Sequence, residues 1–402
     1  MHHAVSSRFV GQLGRQLPVW PYFGEEEISA AVEVLRSGKA NYWTGTVGKD
    51  FENQYASAVG VKHAISAANG TVTLEIALRA LGIKVGDDVI VTPRTFMASA
   101  SCVVMIGARP VFADVDRNTG NITAESVARV LTPQTKAIIA VHLGGWPCEM
   151  SEIMQLASER NLAVIEDCAQ AHGAIYQGKP VGSMGHINSF SFCQDKIITT
   201  GGEGGLITTN DTARWEQLWS LKEHGKSYDA CFRRSWPPGF RWLHDSFGSN
   251  YRMTEMQAAI GRVALAKLPE WTRIRRRHAD SLSKCLMEFP AIRIPAVPSH
   301  VGHARYKYYC YVNPVALGSG WTRDRIMAEI NLLGVPCYSG SCSEVYLERA
   351  FDRPGHRPPA RLPVAQELGD TSLMFLVHPT LSDDDVAWAC DRISHVIAQA
   401  RG

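Results

Sequence analysis

The sequence predicts an α/β protein: a large domain with a mostly parallel central sheet, followed by a smaller C-terminal α/β domain. Two patterns carry that prediction. Short apolar runs alternate with amphipathic segments through residues 24–285, and a long helical stretch then gives way to a proline-punctuated one before a second α/β segment. A chain of 402 residues with 45% hydrophobic content has enough apolar side chain to fill both cores.

The runs DDVIVTP (87–93), RPVFADV (109–115), KAIIAVHL (136–143), LAVIEDC (162–168), INSFSFC (187–193) and GLITTND (205–211) are short and largely apolar, as strands covered on both faces require. Between them, TVTLEIALRALG places Leu74, Ala77, Leu78 and Leu81 at helical spacing and stops at Gly82. EMSEIMQLASERN repeats the pattern with Ile153, Leu156 and Ala157 before Asn161. Both predict amphipathic crossover helices. From Met253 to about Met287 the period stays helical, and FPAIRIPAVPSH (289–300) breaks it. These transitions set an N-terminal arm at 1–23, a large domain at 24–285 and a small domain at 286–402.

Composition narrows the class. The formal net charge is +2, and the one dense basic run, RIRRRH (273–278), lies in a helical stretch where it reads as a solvated face, so nothing calls for nucleic acid. The ten cysteines include no CxxC pair, no apolar run is long enough to cross a bilayer, and MHHAVSSRFVGQLGRQ lacks the apolar core of a signal peptide. The expected location is the reducing cytoplasm, and no metal site is expected.

Four constellations bear chemistry. AANGT (67–71) is a glycine turn opening a helix, where free N–H groups and the helix dipole favour a phosphate; taken alone it also reads as an ordinary turn and cap. VIEDCAQAHGA (164–174) puts Asp167 at the carboxyl end of a buried strand, the edge at which open α/β sheets bind ligands. By itself, that acid reads equally well as an N-cap. In SFSFCQDKIITTGGEGG (189–205), Lys196 follows the next strand, so acid and lysine are expected on one edge. GSNYRMTEMQAAIG (248–261) begins a helix with Asn250 and Arg252, a second possible anion site or simply a cap and a surface charge.

A phosphate cradle, a strand-end acid and a lysine on a glycine-rich loop are together what pyridoxal 5′-phosphate (PLP) requires. The lysine holds the cofactor as a Schiff base, the acid keeps the pyridine nitrogen protonated, and the turn takes the phosphate.

These motifs, in order with GEEEISAAVEVLRSGK, GDDVIVTPRTFMASA, GARPVFADVD and LVHPTLSDDDV, make the chain resemble the DegT/DnrJ/EryC1/StrS family of sugar aminotransferases over nearly its whole length. The resemblance implies a fold-type-I PLP-dependent transferase. It implies Lys196 as the Schiff-base lysine and proton shuttle, and Asp167 as the partner of the pyridinium. It places Gly70, Thr71 and Ser191 at the phosphate, joined by Asn250 from the other subunit of a homodimer with shared sites. Phe96 would stack on the ring and Gln170 would lie against the cofactor and its ring hydroxyl; His172 receives no role. The implied reaction is ping-pong, through pyridoxamine 5′-phosphate, from an amino acid such as glutamate to a keto group of a nucleotide-linked sugar, for surface polysaccharide or a glycosylated metabolite.

The sequence departs from the family's pattern at Asp195, where neutral or histidine side chains are usual. Relatives that remove a sugar hydroxyl carry histidine at the lysine position, so Lys196 argues for transamination over dehydration. ANYWTG (40–45), CFRRSWPPGFRWLHD (231–245) and HARYKYYCYV (303–312) are the expected substrate-facing segments, with Arg233, Arg234 or Lys307 available to a diphosphate. A non-catalytic cofactor-binding regulator would need a DNA-binding module, for which the chain has no spare segment. A cysteine desulfurase would need a mobile catalytic thiol; Cys342 in SGSCSE is the one candidate, and a buried structural cysteine is the simpler reading.

Overall fold

A computed structural model describes residues 15–353 and 355–401. Residues 1–14 of the arm, and with them most of the segment examined for a signal peptide, lie outside the described residues. Its central sheet has seven strands: β1 (His63–Ala67), β2 (Asp88–Val91), β3 (Arg109–Phe112), β4 (Thr135–Val141), β5 (Ala163–Asp167), β6 (Ile187–Ser191) and β7 (Gly205–Thr209), in the order β1-β7-β6-β5-β4-β2-β3. From β3 across to β6 every pairing is parallel; β7 runs antiparallel to both β6 and β1. Every residue of β2, β6 and β7 is buried, which is why the apolar runs are nearly continuous.

The six strands expected from the sequence are all present. β1 is the additional one. Its sequence, HAISA, is short and alanine-rich, with little β-propensity of its own, and it is formed by pairing along β7 from His63 opposite Thr209 to Ala67 opposite Gly205. The predicted crossover helices are Gly70–Ala80 and Met150–Arg160, the second ending at Asn161 in the left-handed region (φ 53°). The long helix runs from Glu255 to Leu286. Beyond it, Ile292–Arg293, Tyr308–Val312, Ser372–Phe375 and Cys337–Tyr338 form a four-stranded sheet in that spatial order.

That second sheet has its own core, where Tyr308, Cys310, Leu373 and Phe375 pack against Leu282 and Leu286 of the long helix and Ile393 and Ile397 of the C-terminal one. The C-terminal chain also reaches back: Val345, Tyr346 and Phe351 join the large-sheet core, and Val301–Gly302 pairs with Ile175–Tyr176. Among the described residues, no helix is long and apolar enough to cross a membrane.

Candidate active site

The alternation in SFSF builds two faces at once. Successive side chains on a strand point to opposite sides, so Phe190 and Phe192 enter an aromatic cluster with Phe51 and Tyr55, ring centroids 5.0–5.7 Å apart. Ser189 and Ser191 face the other way. Ser189 Oγ lies 2.6 Å from Thr73 Oγ1, fixing the helix Gly70–Ala80 on that face, and Ser191 lies against Gly70. A Cβ on Gly70 would fall 2.6 Å from that of Ser191, so only glycine permits the approach. Gly205, at the start of β7, is constrained likewise: a side chain there would collide with the Asn69 carbonyl.

This turn opens a cavity of about 2250 Å³ at the carboxyl edge of the sheet. Asn69 Oδ1 accepts from the Val72 N–H at 3.0 Å, capping the helix, whose first residues, Gly70 and Thr71, line the cavity. Asp167 ends β5 and pairs in register with Ser189 of β6, so β6 delivers Ser191, and the loop after it Lys196, to the same edge. The Asp167 carboxylate is buried. Its Oδ2 accepts from Ser99 Oγ at 2.8 Å and its Oδ1 from the Ala169 N–H at 3.1 Å. Burial raises its pKa, outweighing those hydrogen bonds and the Lys196 charge.

Of the residues expected at the site, Gly70, Thr71, Phe96, Asp167, Gln170, Ser191 and Lys196 all line this one cavity. Phe96 is 69% exposed, and Gln170 is fixed by accepting from the Gly144 N–H at 2.8 Å. Asn250 does not line it; it is exposed on the chain's own surface, bridged to Glu223. The structure corrects the reading of Asn250 as a helix cap and of Arg252 as a surface charge. The helix begins at Glu255, five residues after Asn250, with Thr254 as its cap, and Arg252 is committed to Glu223 at 2.7 Å.

Other expectations resolve individually. His172 is buried between the Tyr55 hydroxyl and the Ser191 carbonyl; burial drives its pKa down to about 3, so it is a neutral structural group. Arg233 and Arg234 pair with Glu216 and Asp229 and do not line the cavity, whereas Lys307 does. Cys342 is not buried as expected. It is exposed and lines the cavity, but desolvation raises its thiol pKa, the opposite of what a nucleophilic cysteine needs.

Sequence reasoning missed Ser99, Trp20 and Arg275. Ser99 orients the acid, and its signal was a hydroxyl at the start of the helix after PRTF. Trp20 Nε1 donates to the Lys196 carbonyl at 2.8 Å, and Arg275 lies 5.0 Å from its ring; both contacts join residues far apart in sequence.

The fit to PLP can be judged on this geometry. A buried carboxylate with a raised pKa calls for a cation, which a protonated ring nitrogen would supply. A capped helix N-terminus beside Ser191 calls for an anion, which the phosphate would supply. The residues present fit both ends of the cofactor. Fold and cavity define a PLP-dependent transferase.

Residues 21–394 match the DegT/DnrJ/EryC1/StrS aminotransferase family, and the chain belongs to it. An aminotransferase from Psychrobacter cryohalolentis superposes with a TM-score of 0.94 at 53% identity, covering 96% of this chain and 100% of that one. The dTDP-3-amino-3,6-dideoxy-alpha-D-galactopyranose transaminase of Aneurinibacillus thermoaerophilus is 40% identical over 365 residues, 90% of this chain and 93% of the relative. The GDP-perosamine synthase of Escherichia coli O157:H7 is 34% identical over 358 residues, 89% and 91% of the two chains. The protein is a PLP-dependent aminotransferase.

Proposed function

We propose that the enzyme moves an amino group from an amino acid, glutamate being the expected donor, to a keto group of a nucleotide-linked sugar. The observation that carries this reading is the convergence of Lys196, Asp167 and the capped helix N-terminus on one large cavity. The relatives named for GDP- and dTDP-linked sugars support the substrate class.

In this reading, PLP supplies an electron sink for the carbon that gains or loses a proton. Lys196 Nζ holds the cofactor at rest and moves the proton to and from the substrate carbon in both half-reactions. Asp167, oriented by Ser99, supplies fixed negative charge at the ring nitrogen. Gly70, Thr71 and Ser191 would seat the phosphate, Phe96 would cover the ring, and Gln170 would meet its hydroxyl.

We further propose a division into arm (1–23), large domain (24–285) and small domain (286–402), and a homodimer in which Asn250 completes the neighbouring site. Phe240, Trp242 and Phe247 are 80%, 79% and 93% exposed close to Asn250 in sequence, apolar area that a second copy would cover.

A screen of amino donors against nucleotide-linked keto sugars, read by product mass, tests the reaction. Amination replaces the keto oxygen by nitrogen and turns the donor into its keto acid. A nitrogen-free deoxy sugar would instead indicate dehydration, and no turnover of any nucleotide-linked sugar would contradict the substrate class.

A further inference from the structure

Asp195 immediately precedes Lys196, and its half-exposed carboxylate meets a hydroxyl and an ammonium. The Tyr306 hydroxyl donates to Oδ2, and Lys307 Nζ lies 3.6 Å from the same oxygen. Lys196 Nζ and Lys307 Nζ both lie over the Tyr306 ring, 5.0 and 4.6 Å from its centroid. From the long helix, the buried Arg275 donates to the Tyr306 carbonyl at 3.2 Å and acts electrostatically on both Asp195 and Lys307. His378 feels Arg275 and Lys307 in turn, and burial lowers its pKa to about 3, so it adds no charge. Lys307 thus meets this carboxylate directly, and the charges of Lys196 and Arg275 act on the same group of side chains. Burial alone would raise its pKa, but Lys196, Lys307 and the Tyr306 hydroxyl hold it below the usual carboxylate value, so it is ionised at neutral pH. Burial lowers the Lys307 pKa to about 8 in spite of Asp195.

We propose that Asp195 is a positioning residue for Lys196: its carboxylate favours positive charge on the linkage between Lys196 and the cofactor and, gripped by Tyr306 and Lys307, ties the lysine loop to the C-terminal part of the chain. The inference rests on Lys196 being the residue that carries the cofactor. A carboxylate beside the linkage stabilises its protonated form and raises the pH at which the proton leaves. A neighbouring ammonium acts in the opposite sense.

The test is a pH titration of the visible spectrum of the holoenzyme, with thermal melting of each variant as a check on the fold. Asp195→Asn is expected to move the transition of the Lys196–cofactor linkage down by about one pH unit, and Asp195→Glu to return it towards the wild-type position. Lys307→Met is expected to move it up, which keeps the proposal testable if Asp195→Asn binds no cofactor. A purely structural role would change melting or occupancy and leave the transition pH in place. If Asp195→Asn and Lys307→Met both titrate like wild type, the proposal is overturned. A cofactor linkage that survives in Lys196→Ala would instead overturn the underlying reading of Lys196.

Discussion

Burial raises the pKa of Asp167 against the pull of Ser99, the Ala169 N–H and Lys196, so the cofactor-free protein carries a carboxylate that folding disfavours. The sign follows from linkage. A carboxyl group whose folded pKa lies above its unfolded value lowers stability as pH rises past the ordinary carboxylate range, because the unfolded chain releases that proton more easily. Asp167→Asn removes this cost while keeping nearly the same shape. The cofactor-free variant is therefore expected to melt no lower than wild type at neutral pH, by differential scanning calorimetry, while the loaded variant loses most of its turnover in both half-reactions. Near-normal turnover would make Asp167 a structural residue.

At the scale of elements, the site depends on how closely β7 approaches the turn before the helix Gly70–Ala80. A side chain at Gly205 would strike the Asn69 carbonyl, so Gly205→Ala must push back the residue that caps the helix. The expected cost is about 1–3 kcal/mol in urea unfolding, together with weaker cofactor binding by equilibrium dialysis. Unchanged values for both would show that the turn has room to spare. Much of this arrangement was legible in the sequence. The six apolar strands, the two crossover helices and the placing of Asp167 and Lys196 on one edge follow from local patterns of two to four residues. What was not legible depends on distant partners. HAISA becomes β1 only by pairing with β7, Trp20 meets the Lys196 carbonyl across 176 positions, and the cap at Thr254 competes with an equally plausible signal at Asn250.

For the whole molecule, the proposed shared site makes a prediction that no single chain can satisfy. Lys196→Ala and Asn250→Ala chains, each impaired alone, should recover activity when combined in verified mixed dimers, because one of the two sites then receives native Lys196 from one chain and native Asn250 from the other. Absence of recovery would count against Asn250 as a shared residue and leave the single-chain cavity unaffected. The central claim is that Lys196 carries the cofactor in that cavity, and borohydride reduction of the purified holoenzyme followed by peptide mass mapping tests it most directly. The account predicts one modified peptide, bearing the reduced cofactor on Lys196 and absent from Lys196→Ala; a label on any other lysine, or one that persists in that variant, would contradict it.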